Sequence, residues 1–466
     1  MDVAESTPAD SLPEITPALL KKYDRPGPRY TSYPTAPKWH DGVGPDFYRQ
    51  ALAAAATQPE RPLSLYVHIP FCKSRCAYCG CNVVADATAD MDAYLDCLEK
   101  EIQAVASLLP ERRTVAQCHW GGGTPTFMNV RQMTRLFEAL TTSFSVLPTA
   151  EIAIETNPAS ATAEQLQCLR GLGFNRISFG VQDLDPKVQQ AVGRCQTQAQ
   201  TQEALSLCRE LGFQGINMDL IYGLPLQTES GWRRTIDAII AMRPDRLAVY
   251  SYAHLPQRFA HQKNVDALQR PDVAEKYALF AAARKQLMDA GYHAIGMDHF
   301  ALPDDELAVA LGKGVLHRNF MGYTVQHAPD QLGFGASAIG ELDDYYVQNE
   351  RDPAAYGFAI TQYGYATTRG MHLSRDDIMR RWVIRRLMCT FFVDKALFQE
   401  LFDLPFDTCF KDEQRLLEYY AQEGLLTIDE QGLCIMPLGS AFVRNICMAF
   451  DVYMQRDDTT MFSRTI

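Results

Sequence analysis

Between about Pro62 and Phe300 the chain repeats one pattern: a short run rich in β-branched and aromatic residues, then a stretch with apolar positions at helical spacing. The short runs are Leu63–Ile69, Thr114–Trp120, Glu151–Glu155, Arg176–Val181, Gly215–Tyr222, Arg246–Ala253 and His293–His299. The helical stretches between them are Met91–Leu108, Val130–Phe144, Thr162–Leu172, Ala199–Leu211, Ser230–Met242 and Val273–Ala290. Apolar residues returning every three to four positions predict helices laid on a core, and brief runs bounded by Gly, Pro and Asn predict strands. Strands separated by helices pair in parallel, because a parallel connection needs a crossover of a dozen or more residues. Six to seven such units predict an α/β fold built on a partial (β/α)6-type TIM barrel. In the first run, Leu63, Leu65, Val67 and Ile69 share one face while Ser64, Tyr66 and His68 share the other, which a barrel turns inward.

The pattern changes beyond about residue 370. Helical segments Asp377–Cys389 and Asp412–Gln422 precede two short apolar runs, Leu425–Ile428 and Leu433–Met436, joined by a turn at Asp429-Glu-Gln-Gly432, and a last helix is predicted over Ser440–Tyr453. This predicts a small, mostly helical, winged-helix-like C-terminal domain, and the absence of a basic recognition face argues for a cap over the barrel and against a DNA reader. Ahead of the barrel, Tyr23, Tyr30 and Tyr33 interleave with Arg25 and Arg29 on a Pro-stiffened arm. Met1 to Pro17 is acidic and rich in Pro, Ser, Thr and Ala, without the basic start or apolar core of a secretory signal, and reads as the flexible tail of a cytoplasmic protein. The predicted division is a tail at 1–18, an arm at 19–61, a barrel domain with extensions at 62–369 and a cap domain at 370–466.

Charge narrows the partners. Among 466 residues, 44 Lys and Arg face 56 Asp and Glu, a net charge of −12 with no basic tract, which argues against a nucleic-acid backbone as partner. No run of about 18 apolar residues occurs, so no membrane span is predicted. Thirteen cysteines in a reducing compartment are not a disulfide framework. Nine are scattered singly (Cys97, Cys118, Cys168, Cys195, Cys208, Cys389, Cys409, Cys434 and Cys447) and read as small core hydrophobes. The other four, Cys72, Cys76, Cys79 and Cys81, fall within ten residues, a density that packing does not explain.

Zinc sites favour two Cys-x2-Cys pairs that close a tetrahedron. Here the spacing is x3, x2, x1, and the last interval is too short for a comfortable fourth ligand. Three thiolates on one tight loop suit three corners of a 4Fe-4S cube and leave the fourth iron open. A zinc-stapled barrel without redox chemistry is the weaker alternative. Barrel chemistry gathers at the C-terminal ends of strands. There the sequence places Pro70-Phe71-Cys72, Gly121-Gly-Gly-Thr-Pro125, Glu155, Gln182, Asp219 and Ala253-His254, which points to one shared site.

Cys-x3-Cys-x2-Cys directly after the first strand of a βα barrel resembles the radical S-adenosylmethionine superfamily. Within it, Tyr66-Val-His-Ile-Pro-Phe-Cys72, Cys79-Gly-Cys81 and His119-Trp-Gly-Gly-Gly-Thr-Pro-Thr126 look like the oxygen-independent coproporphyrinogen III oxidase family. The likeness runs from about Leu20 to Ile466, through Gly27-Pro-Arg-Tyr-Thr-Ser-Tyr-Pro-Thr35, Asp219-Leu-Ile-Tyr-Gly-Leu-Pro225, Gly296-Met-Asp-His-Phe300, His317-Arg-Asn319, Arg444-Asn-Ile-Cys447 and Phe462-Ser-Arg464. The resemblance implies that Cys72, Cys76 and Cys79 hold a 4Fe-4S cluster with Cys81 nearby, and that two S-adenosylmethionine molecules bind. Tyr66, Tyr78, Gly122, Glu155 and Ile339 would line the one on the cluster, with Tyr66, Glu155 and Ile339 at the reacting centre. Gly123, Thr124, Gln182, Arg194, Asp219 and Ala253 would hold the second. Met321 stands where family members usually carry Gln, and a thioether cannot supply an amide's donors.

The implied reaction is oxidative decarboxylation of two propionates of coproporphyrinogen III to vinyl groups, giving protoporphyrinogen IX in porphyrin biosynthesis. It needs a reductant for the cluster and an electron acceptor, neither of which the sequence names, and the family favours a monomer. A substrate with four carboxylates gives an acidic protein reason to keep Arg25, Arg29, Arg318 and Arg464 as candidate clamps, because a guanidinium binds carboxylate through two parallel hydrogen bonds. The alternative within the same superfamily is a haem-binding chaperone, which keeps the cluster but makes no vinyl product.

Overall fold

The predicted helices begin where side chains can satisfy their free N-terminal amides. Asn129 with Gln132, Thr162 with Gln165, Thr197 with Gln200 and Asp272 with Glu275 each form a reciprocal capping box, so these helices start within a residue or two of the sequence expectation. The structure, a computed structural model, describes residues 15–265, 267–325, 328–454 and 462–465. Most of the expected tail at 1–18 lies outside the described residues. The chain divides into two compact units, one of residues 39–219 and 326–374, the other of the residues up to 38, 220–325 and those from 375 onward.

The first unit is built on parallel strands: β1 (Leu63–Ile69), β2 (Thr114–Gly122), β3 (Ser145–Thr156), β4 (Arg176–Gln182), β5 (Gly215–Tyr222), within which the chain passes into the other unit, and β6 (Asp330–Phe334). Their order is β6-β1-β2-β3-β4-β5. The register sets Leu332 beside Leu65, Leu65 beside Cys118, His119 beside Ala153 and Glu155 beside Ser178. That alignment brings the carboxyl ends of the strands to one edge. Leu63, Leu65, Val67 and Ile69 are fully buried, as are Leu95, Leu98, Ile102 and Val105 of the helix Met91–Ser107 that follows. On the far side of β6 the sheet continues antiparallel through Ile339–Leu342, Tyr345–Asn349 and Thr367–His372.

This flank is absent from the sequence expectation. Asp330-Gln-Leu-Gly-Phe334 carries too many polar residues and too little alternation to read as a core strand, yet all five residues are buried. The polar ones are partnered inside. Asp330 lies 2.5 Å from Arg112, and Gln331 Nε2 donates to the Ile339 carbonyl at 3.1 Å.

In the second unit the arm is core, not surface. Leu20, Tyr23, Tyr30 and Tyr33 join Val383, Ile384, Leu387, Phe398, Phe442 and Ile446 in one buried cluster, and Tyr30 donates to Asp451 at 3.0 Å. The C-terminal helix Arg375–Thr390 and the two expected short strands form as predicted, with Phe392–Asp394 added as a third strand. Two expectations fail here. The run His293–His299 is not one strand but the hairpin His293–Ile295 and His299–Ala301, paired antiparallel to Arg246–Ser251, because Gly296 adopts φ +57 and turns the chain. The single last helix is instead the short helices Pro437–Ser440 and Val443–Cys447 with a final 3-10 turn, from which Arg444 and Asn445 donate to backbone carbonyls of the arm. No helix among the described residues is long and apolar enough to cross a membrane.

Candidate active site

Where β1 ends, Pro70 redirects the chain and Phe71–Cys72 pairs with Val84–Ala85, closing the cysteine segment into a loop. Val84 N–H donates to the Pro70 carbonyl, Asp86 N–H to that of Cys72, and Cys79 N–H to that of Cys76, at 2.8, 3.1 and 3.2 Å. These bonds fix a loop that would otherwise need a core to hold it. Cys72, Cys76 and Cys79 are partly exposed within it and Cys81 is exposed. All thirteen cysteines are free thiols, and of the nine scattered ones Cys118, Cys208, Cys389 and Cys447 are buried. Cys195, beside Arg194, is exposed, so core packing does not account for it.

The thiols are electrostatically distinct. A hydrogen bond from Cys81 holds the Cys79 thiol down at about 7, whereas burial raises that of Cys72, partly offset by Thr124, whose Oγ1 lies 3.3 Å from its sulfur. Arg194 Nη1 reaches Cys76 Sγ at 3.8 Å and donates to Tyr78 Oη at 3.1 Å. Among the described residues no three His, Cys, Asp or Glu side chains converge as the shell of one metal ion. A tetrahedral zinc needs every donor about 2.3 Å from one point, whereas a cube takes each thiolate on a separate iron. Three thiols on a pinned loop, with a guanidinium at one of them, fit a 4Fe-4S cluster.

The glycine run is laced to that loop. Gly123 N–H donates to the Ile69 carbonyl at 2.8 Å and Thr124 N–H to that of Phe71 at 3.0 Å. A Cβ on Gly123 would stand 2.8 Å from the Phe71 oxygen and 2.9 Å from the Pro70 carbonyl carbon, both backbone atoms that cannot rotate away. A Gly123→Ala protein is therefore expected to pull the root of the cysteine loop out of place. The strain is about 1–3 kcal/mol, and iron bound per chain after anaerobic desalting should fall clearly below wild type.

Glu155 ends β3 beneath the glycines, where its carboxylate accepts from Gly122 N–H at 3.2 Å and pairs with His119 Nε2 at 3.1 Å. Burial alone would raise this carboxyl, but the His119 hydrogen bond and the Gly122 amide hold it below its usual value. Its side chain remains 43% exposed, so an anionic oxygen is available at the mouth of the strands. Tyr66 stacks on His119 with ring centroids 6.0 Å apart. His68 Nε2 lies 2.9 Å from the Asn82 carbonyl, which can only accept; Nε2 therefore carries the proton, and Nδ1 accepts from Tyr66 Oη at 3.1 Å. Burial also lowers the His68 pKa, keeping the ring neutral. This relay ties β1 to the far end of the cysteine loop.

A second cluster stands at the ends of β4 and β5. Arg194 also donates to the Gly180 carbonyl and to Gln196 Oε1. Gln182 sits in the left-handed region at φ +71, with its side-chain oxygen buried and unpartnered among the described residues. Asp219 accepts from Asn217 at 2.8 Å and Ser178 at 3.2 Å. A left-handed Gln with an orphaned amide oxygen beside the Arg194 guanidinium suits a polar ligand. The structure thus brings together Tyr66, Cys72, Cys76, Tyr78, Cys79, Gly122, Gly123, Thr124, Glu155, Gln182, Arg194 and Asp219 in the first unit. Ile339 belongs to the same unit, at the start of the antiparallel flank. Ala253 and Met321 belong to the second unit, where Gln262 donates to the Ala253 carbonyl at 3.1 Å and Met321 N–H donates to Asn319 at 2.9 Å. Sequence reasoning missed the supports: Ser178 and Asn217 beside Asp219, and Asn82 beneath His68. Only the two-residue alternation of Asn217 with Asp219 offered a signal.

The candidate arginine clamps lie in the second unit and separate into two kinds. Arg25 donates to Tyr420 at 3.3 Å and Arg464 to Asp24, ties that hold arm and tail. Arg29 and Arg318 flank Asp298, a buried carboxylate that His299 and the two guanidinium charges hold low despite its burial. Arg318 is itself buried over the Tyr323 ring at 4.9 Å.

Parallel strands ending in a three-thiol loop, a glycine run and a carboxylate define a radical S-adenosylmethionine fold, and the profile of that superfamily matches residues 66–239. The HemN C-terminal domain profile matches 373–442. The oxygen-independent coproporphyrinogen III oxidase of Escherichia coli strain K12 is 45% identical, over 96% of this chain and 98% of its own length, and that of Pseudomonas aeruginosa is 43% identical over the same shares. The solved structure of the Escherichia coli coproporphyrinogen III oxidase, described as a radical SAM enzyme, aligns with a TM-score of 0.89 over 95% of this chain and 100% of that one, at 43% identity. The chain belongs to the oxygen-independent coproporphyrinogen III oxidase family.

Proposed function

We propose that this chain is a coproporphyrinogen III oxidase that converts two propionate side chains of its substrate to vinyl groups without oxygen. The observation that carries the reading is coverage: the relatives named for this activity match arm, barrel strands and C-terminal domain together, not the cysteine loop alone. A 4Fe-4S cluster and S-adenosylmethionine held here would supply the radical chemistry for oxidative decarboxylation of a propionate.

The chain's own residues position and shield. Cys72, Cys76 and Cys79 would hold a 4Fe-4S cluster. The Gly122 backbone and the Glu155 carboxylate suit the zwitterionic methionine end of the cofactor, with Tyr66, Tyr78 and Ile339 as its walls. In our reading Gln182, Arg194 and Asp219, with Gly123 and Thr124, take a second S-adenosylmethionine. The orphaned Gln182 oxygen supports that assignment.

Reconstituted protein, incubated anaerobically with a chemical reductant, S-adenosylmethionine and coproporphyrinogen III, is expected to form 5′-deoxyadenosine and, after oxidation for detection, protoporphyrin IX. Absence of any decarboxylated porphyrin would overturn the reading. Titrating S-adenosylmethionine against the reconstituted enzyme tests the second molecule, which predicts two equivalents per chain; a single equivalent would sink it.

A further inference from the structure

The second unit contains a cavity of about 420 Å³ whose Arg270 and Lys276 have no role above, with Asp24, Tyr252, His254 and Arg464 also in its wall. Its place in the fold gives it meaning. Gly223 and Tyr252, also in the wall, directly follow β5 and the strand Arg246–Ser251, and Tyr252 N–H donates to the Tyr222 carbonyl at 2.9 Å. The cavity therefore opens at the carboxyl ends of two consecutive strands, the end at which barrel enzymes bind substrates.

Its charge is unbalanced toward the positive. Arg464 and Asp24 pair with each other, which leaves two cations, Arg270 and Lys276, facing one carboxylate, Asp272, that is engaged as a helix cap. Asp24 accepts from Arg464, and Asp272 caps the helix Val273–Asp289 by accepting from Glu275 N–H at 2.8 Å. Lys276 lies one turn into that helix and points its ammonium toward the Tyr252 carbonyl at 3.4 Å. Burial, with Arg29, Arg444 and Arg464 close by, lowers its pKa to about 8, and Asp24 opposes this only in part. A cavity wall that disfavours its own cation is completed by an incoming anion.

We propose that Lys276, with Arg270 in the same wall, binds a propionate carboxylate of the tetrapyrrole, and that the arm held is one that survives the reaction. This rests on the proposed function for the identity of the ligand. The choice of arm follows from catalysis as differential binding. A carboxylate that must leave as neutral CO2 loses an ion pair on the way to the transition state, so a clamp there would oppose the step. A clamp on a persisting carboxylate costs the reaction nothing and fixes the ring in register.

Lys276→Met is the test, with steady-state kinetics on coproporphyrinogen III and on the tricarboxylate intermediate formed after one decarboxylation. Loss of a charge-assisted contact should raise KM about tenfold for both compounds, with kcat within about twofold of wild type. Lys276→Arg should recover most of the loss. Lys285→Met, on an exposed lysine of the same helix paired with Asp289, should leave both constants alone. An unchanged KM in Lys276→Met, or a rise confined to the tetracarboxylate, overturns the clamp. Failure of the wild-type protein to make any vinyl product overturns the functional reading instead, so the two failures are separable.

Discussion

Alanine in place of Cys72, Cys76 or Cys79 should leave a folded protein that retains little iron after anaerobic reconstitution and forms no measurable 5′-deoxyadenosine. The loop survives because backbone bonds from Val84, Cys79 and Asp86 close it without help from sulfur. The cluster does not, because two thiolates hold two corners of a cube and leave the rest to solvent. Changes to groups that merely support metal ligands already cost about 10–100-fold in affinity or activity, so removal of a ligand should exceed that range. Cys81→Ala is the matched control: it should keep a full cluster, although losing the hydrogen bond to Cys79 lets that thiol rise above about 7. Iron and sulfide analysis with absorption spectra checks all four variants. A full cluster in any of the first three, or its loss in Cys81→Ala, contradicts the ligand assignment.

The largest expected effect on stability lies away from the chemistry. Arg112 and Asp330 are both completely shielded from solvent, 2.5 Å apart between Nη2 and Oδ2 but off the line of a directed hydrogen bond, so theirs is an ion contact. Arg112 also donates to the Ala55 and Arg61 carbonyls at 2.8 and 2.9 Å, and Asp330 accepts from Asp343 N–H at 2.6 Å. Asp330→Leu strands a buried guanidinium, and Arg112→Met strands a buried carboxylate. Each should cost about 3–5 kcal/mol and lower the thermal midpoint by roughly 10 °C. The double variant Arg112→Met/Asp330→Leu should be less destabilised than the two single effects added, since neither charge is then left alone. Thermal unfolding followed by far-ultraviolet circular dichroism measures all three. Additive losses would mean that the contact contributes no coupling.

What could be read along the chain was whatever depends on near neighbours. Helix starts were legible because a cap and its partner lie three residues apart. The five strands β1 to β5 were legible because each alternates or runs apolar over its own length. The candidate cluster ligands were legible because three thiols on one loop need only local spacing to declare themselves. β6 was not legible: its Asp and Gln are tolerable in a core only because Arg112 and the Ile339 carbonyl, far off in sequence, meet them there. The hairpin at His293–Ala301 was hidden for a similar reason, since one glycine turning at φ +57 divides a run whose composition reads as a single strand.

By itself, then, the sequence determined the alternating architecture, the cysteine loop and the residue types gathered at the strand ends. Only the tertiary structure decided the strand register that puts Glu155 under Gly122, the tautomer of His68, the division of the arginines into tethers and a pair beside Asp298, and the cationic cavity around Lys276. Those outcomes turn on distances between residues far apart in the chain, and on burial that raises or lowers a charge. Neither is a property of a neighbourhood in sequence.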